Sequence, residues 1–125
     1  MDEGVTKVDV DEVPYYQGPN SIPGIKFRGA AKALGVTAWG MNVLEIEPGC
    51  QAYPEHDHVK DGQEEVYVVL RGSATLRCGG REWPLEAGSL VRVGPQTKRK
   101  LVPGADGVTV LAIGSTPGKA YPPRA

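Results

Sequence analysis

Two histidines, His56 and His58, are separated by the single residue Asp57. On an extended chain alternate side chains share a face, so both imidazoles point the same way with their Cα atoms about 7 Å apart. Two neutral ring nitrogens placed like this converge on one cation, while Asp57 turns away. Glu65 opens the next apolar run. A carboxylate delivered from that adjacent strand completes a three-ligand, open-sided site suited to iron, manganese, nickel or zinc. Glu64 competes for the role, but strand parity puts it on the opposite face. The polar, turn-like stretch Val59-Lys60-Asp61-Gly62-Gln63 folds the chain back between the two parts. The plainer alternative is a pair of solvated histidines with a glutamate that caps a strand or pairs with an arginine. His-x-His followed by a strand-opening Glu favours a common pocket, and metal in that pocket is a separate expectation.

Short strands must hold these side chains. The chain has 17 glycines and 11 prolines in 125 residues, good material for tight turns and poor material for long helices. Between these breaks run segments rich in Val, Leu, Ile, Thr and Tyr: 36–46, 65–70, 73–77, 81–85, 89–93, 98–102 and 108–113. Many short strands at regular spacing predict an all-β antiparallel sandwich or barrel. Gly79-Gly80 joins Thr75–Cys78 to Arg81–Leu85 as a two-residue hairpin turn. The one helical candidate is Gly29–Leu34, too short to be stable alone.

One domain over residues 1–125 is expected, with a barrel core at about 36–113, an N-terminal arm at 1–23 and a C-terminal tail at 116–125. Val66, Val68 and Leu70 lie on one face of their strand and Tyr67 and Val69 on the other. A strand apolar on both faces is covered on both, which predicts a homodimer. The formal net charge of −1 offers no field for nucleic acid or membrane, and Lys98-Arg99-Lys100 is the one basic cluster. The opening Met1-Asp2-Glu3-Gly4 is acidic and polar, with no apolar leader run, so a cytoplasmic protein is expected. Cys50 and Cys78 lack Cys-x-x-Cys spacing and read as reduced thiols. No Gly-x-Ser-x-Gly context surrounds any serine, which argues against a nucleophilic hydrolase.

Gly49 through Gly72, with His56, His58 and Glu65 at its centre, resembles the first motif of the cupin superfamily. Its His58–Glu65 gap is about two residues longer than usual. Gly88 to Arg99 is similar to the second motif. The resemblance implies an antiparallel double-stranded β-helix, the jelly-roll barrel, over most of the chain. This fold hosts oxygenases, isomerases, epimerases, sensors and storage proteins, so the resemblance implies no single reaction.

One departure matters. Where the second motif normally supplies a third histidine this chain has Arg99, so a three-His, one-Glu site is impossible. In that register the guanidinium enters the pocket, where Glu65 is its natural bidentate partner. A fixed positive charge near a divalent cation costs a few kcal/mol at an effective dielectric of about 20. Three readings stay open. Arg99 replaces the metal and binds an anionic or carbonyl-bearing ligand; or His56, His58 and Glu65 hold a metal while Arg99 binds the substrate's anionic group; or Arg99–Glu65 is a structural bridge in a non-catalytic binding or interaction module. A one-residue slip would instead turn Lys98 and Lys100 inward. Tyr67, Met41 and Tyr53 are expected to line the cavity. The expected function is a small-molecule-binding protein, either a metal-dependent enzyme of oxygenase or isomerase type or that non-catalytic module.

Overall fold

Two long strands carry most of the architecture, and the computed structural model describes residues 4–122. The outermost parts of the expected arm and tail, 1–3 and 123–125, lie outside the described residues. In chain order the elements are β1 (Ile25–Arg28), α1 (Ala30–Leu34), β2 (Gly40–Ile46), β3 (Glu64–Cys78), β4 (Arg81–Glu86), β5 (Leu90–Val93) and β6 (Arg99–Ser115), preceded by a 3₁₀ turn at Val10–Glu12. All pairings are antiparallel, in the order β1-β2-β6-β3-β4, with β5 also paired to β3. The fold is an all-β jelly roll of the expected class. Among the described residues, no helix is long and apolar enough to cross a membrane.

Four of the expected strands merge into two. Segments 65–70 and 73–77 are the halves of β3, and 98–102 and 108–113 are the halves of β6. Gly72 and Pro103-Gly104 read as stops in the sequence, yet the β3–β6 ladder continues through them with register shifts between Val69 and Arg71 and between Gly72 and Ala74. Such bulges bend a strand without ending it. At this corner Gly72 (φ 75°) faces Gly107 (φ 75°), and a Cβ on Gly72 would strike the Gly107 carbonyl. The bulges also exchange parity: Tyr67 and Val69 are buried before the corner, Ala74, Leu76 and Cys78 after it.

The hairpin at Gly79-Gly80 forms as expected, with Cys78 opposite Arg81 and both glycines at positive φ (55° and 80°), the requirement of a type I′ turn. α1 falls within the expected helical stretch, and Ala30 and Ala31 are buried. Val36 is not in a strand: its amide closes the end of α1 on Ala31, and β2 starts at Gly40. β1 was not anticipated. It pairs with β2 from Ile25–Ile46 to Arg28–Val43, and Tyr15 bridges to Arg28, tying the arm to the barrel.

The core is one cluster inside the curled sheet, built on Leu76, Leu101, Val69, Val110 and Tyr67, each at most 1 % exposed. Both cysteines are free thiols, and burial pushes the Cys78 thiol up despite the opposing Arg99 charge.

Candidate metal centre

A two-bond bridge fixes His56. Its amide donates to the Arg99 carbonyl (3.1 Å), and its own carbonyl accepts from the Arg99 amide (2.9 Å). The His58 amide donates to the Pro95 carbonyl (2.9 Å). Asp57 is taken up locally, accepting the Val59 amide at 3.1 Å. The two rings meet edge to face, with centroids 5.2 Å apart.

The far side of each ring is tethered. His56 Nδ1 lies 2.9 Å from the Pro54 carbonyl, which can only accept, so Nδ1 carries the proton and Nε2 keeps its lone pair. His58 Nδ1 sits 3.1 and 3.2 Å from the two Asp61 carboxylate oxygens, which fixes the same tautomer. Asp61 is itself placed by the Gln63 amide (3.1 Å) and by Thr116, whose hydroxyl donates to the Asp61 carbonyl (2.8 Å). Burial works to raise the Asp61 carboxyl, but the Gln63 amide and the His58 imidazole outweigh it and hold the group below the usual range.

On the near side, Glu65 Oε1 is 3.3 Å from His58 Nε2 and 4.0 Å from His56 Nε2. One ligand atom from each of the three residues lies within 4.8 Å of the other two. His58 Nε2 is buried without a hydrogen-bond partner. In this tautomer, two nitrogen lone pairs and a carboxylate oxygen face one another. A buried polar atom left unpaired costs about 1–3 kcal/mol, and a cation between the three would satisfy all of them. On this orphaned atom and this donor set, the residues fit a divalent transition metal.

Arg99 does point inward, as the motif register implies, and is fully buried; Lys98 is exposed, and Lys100 reaches the carbonyls of Gln51 (2.8 Å) and Tyr53 (2.7 Å). Two expectations for Arg99 need correction. Its grip on Glu65 is single, Nη1 to Oε1 at 3.3 Å, because Nη2 is taken by the Gly94 carbonyl at 2.7 Å. It also stands behind Glu65 rather than in the cavity wall, so it has no surface to offer a ligand.

The cavity above the site measures about 360 Å³. Tyr53 and Tyr67 line it, as expected. Their hydroxyls are 3.1 Å apart, and Tyr67 donates to Glu65 Oε1 at 2.9 Å, so Tyr53 donates to Tyr67. Burial pushes the Tyr53 phenol up to about 12; burial, Tyr53 and the charge on Glu65 push Tyr67 up as well. Met41 is not in this wall. β2 presents Asn42 and Leu44 to the cavity, and alternation turns Met41 to the other face. Glu64 likewise points away and pairs with Arg92.

Sequence reasoning missed three contributors: Asp61 behind His58, the amides Asn42 and Gln63, and the wall formed by Ile22, Ile25 and Phe27. Asp61 carried a signal in its spacing, three residues after His58. Ile25 and Phe27 carried one in the alternation Ile-Lys-Phe-Arg, which is only four residues long. Among the described residues, no lysine or arginine lines the cavity. A larger depression of about 520 Å³ lies away from the histidines, with its Arg71 engaged by Asp11 at 3.1 Å.

Comparison with known proteins agrees with this architecture. No curated protein shows significant sequence similarity to the chain. Among solved structures, the chain is similar to a sugar phosphate isomerase from a cupin superfamily of Silicibacter pomeroyi, with TM-score 0.75, 22 % identity and coverage of 88 % of this chain and 75 % of that one. It is similar to a predicted oxalate decarboxylase from Thermotoga maritima, with TM-score 0.71, 19 % identity and coverage of 89 % and 99 %. A cupin protein from Bacteroides fragilis gives TM-score 0.67, 22 % identity and coverage of 88 % and 91 %. At these identities the likeness is one of fold. The cupin domain model matches residues 42–114, a span that takes in His56, His58, Glu65 and Arg99. With more than half of the sequence matched, the chain belongs to the cupin domain family.

Proposed function

We propose that this protein binds a divalent transition metal through His56 Nε2, His58 Nε2 and the Glu65 carboxylate, and that a small molecule enters the cavity above it. The observation that carries this reading is the buried, unpaired His58 Nε2 facing Glu65 at 3.3 Å while its Nδ1 is tied to Asp61. Iron, manganese, nickel and zinc all suit such a donor set. Bound there, the metal would supply Lewis acidity or redox chemistry toward a ligand oxygen at its open positions. The protein's own residues orient and hold. Pro54 and Asp61 lock the two ring tautomers, Tyr67 and Arg99 aim the carboxylate, and the raised phenols keep their protons at neutral pH. This suits proton transfer or metal-assisted redox chemistry on a small substrate, in the manner of an isomerase or oxygenase.

A second reading has its own support. The Glu65–Arg99 bond already gives the carboxylate a cation, which suits a metal-free binding or interaction module. Elemental analysis of protein purified without a metal-affinity tag separates the two, with His56→Ala and Arg99→His run alongside. Stoichiometric metal in the wild type that is lost in His56→Ala supports the three-ligand centre. Metal found only in Arg99→His overturns it.

The protein is also proposed to be a homodimer. The outward face joins Leu90 (72 % exposed) to Val68 and Leu111, next to the Val66–Ile113 pair and the exposed Leu70. An exposed apolar band of this kind marks an interaction surface. Light scattering should give twice the chain mass, falling to one chain mass in Leu90→Asp; a monomeric wild type would contradict the proposal.

A further inference from the structure

The cavity over the histidines is divided by chemistry. Its polar lining is His56, His58, Glu65, Gln63, Asn42, Tyr53 and Tyr67; its apolar lining includes Ile22, Ile25 and Phe27 on or before β1, and Leu44 beside Phe27 on β2. Phe27 is 45 % exposed although it sits on a strand whose partner residue, Leu44, is 6 % exposed. Phe27 lines this cavity and two neighbouring depressions, and its exposed ring is apolar surface that a ligand reaching β1 would cover.

The charge pattern narrows the ligand further. Among the described residues that line the cavity, the carboxylate of Glu65 is the only acidic group, and no lysine or arginine accompanies it. The nearest guanidinium, on Arg99, is fully buried and spent on Glu65 and Gly94. A phosphate or a second carboxylate on the ligand would therefore lose its water with no cation to meet it, and burying an unpaired ion is strongly unfavourable. Only the three-ligand centre itself can receive negative charge.

We infer that the cavity takes a small amphipathic molecule, with an oxygen-bearing head (carbonyl, hydroxyl or enol) at His56, His58 and Glu65 and an uncharged apolar tail against Ile25, Phe27 and Leu44. This assignment rests on the metal reading for the head and on the wall alone for the tail. A hydrocarbon ring or short aliphatic chain fits the tail position; a phosphorylated sugar does not.

The test uses zinc-loaded protein and two hydroxamates with the same chelating head. Benzohydroxamate should bind about tenfold more tightly than acetohydroxamate, the gain expected when the ring leaves water against an apolar wall. That ratio should shrink toward one in Phe27→Gln and in Ile22→Ser, two partly exposed positions where folding is checked by melting temperature. Equal affinities in the wild type would overturn the assignment of the tail, as would a ratio unchanged in both variants. Metal-free protein provides the separate arm: benzyl alcohol should shift the amide resonances of Ile25, Phe27, Leu44 and Ala112, and glucose 6-phosphate should not. If the wild type takes up no zinc, the metal reading fails, and these shifts alone decide whether the apolar wall binds a ligand. Shifts from glucose 6-phosphate at this wall, or none from benzyl alcohol, overturn the inference.

Discussion

The two halves of β3 were built to different rules. Before the corner at Gly72 it places Glu65 and Tyr67 inward, among histidines and hydroxyls; after the corner it places Ala74, Leu76 and Cys78 inward, against Leu101 and Leu85. One strand thus serves an open polar mouth and a filled apolar end. In the filled end Ala74 and Leu76 find apolar neighbours, while Cys78 pairs across the ladder with Arg99 and borders the polar group. In the mouth the bonding is dense but incomplete, with His58 Nε2 and Arg99 Nε buried and unpaired. Incomplete satisfaction inside an otherwise well-packed fold marks where a ligand belongs.

Arg99 stands at the boundary, paired in the ladder with Cys78 and hydrogen-bonded to Glu65. Arg99→Ala should destabilise the protein by about 3–5 kcal/mol, because it strands Glu65 and the Gly94 carbonyl and empties a buried site. Chemical denaturation measures it, and a loss below 1 kcal/mol would show that the bridge is not structural. Leu76→Ala, in the filled end, should cost about 2–5 kcal/mol through the cavity it leaves, with metal uptake unchanged. The mouth should behave in the opposite way. His58→Leu should abolish metal binding, yet shift the stability of metal-free protein by less than about 1 kcal/mol: it removes an unpaired buried nitrogen, and the Asp61 carboxylate it releases is half exposed and returns to water. A large loss there would mean that the histidine serves the fold.

A further effect is expected in alkali. Tyr53 has its folded pKa raised to about 12 from the ordinary 10. A raised value means that the folded state holds the proton more tightly than the unfolded chain. The stabilisation is therefore complete below about pH 10 and fades as pH climbs toward 12. Tyr53→Phe should flatten that part of the stability–pH curve.

The sequence carried unequal amounts of this picture. The parity of Glu65 against Glu64, the glycine hairpin and the convergence of His56 with His58 follow from period-two alternation and turn chemistry, both local. Arg99 was legible only to within one residue, because Lys98-Arg99-Lys100 gives no contrast of polarity, and its inward turn depends on pairing with His56 and Cys78. The merged strands were hidden because Gly72 and Pro103-Gly104 look alike as bulges and as turns until the partner strand is known. The wall of Ile22, Ile25 and Phe27 was hidden for a related reason. Four residues of alternation do not say which cavity they will face, so the apolar half of the site depended on tertiary structure alone.

On the proposed reading, the mouth is a cation site arranged in advance by the Pro54 and Asp61 tethers on the two imidazoles. Equilibrium titration of metal-free protein with cobalt(II), followed by its visible absorption and by isothermal calorimetry, tests it most directly. One site per chain is predicted in the wild type, absent in His58→Ala and weakened in Asp61→Ala. No uptake by the wild type, or equal uptake by wild type and His58→Ala, would contradict it.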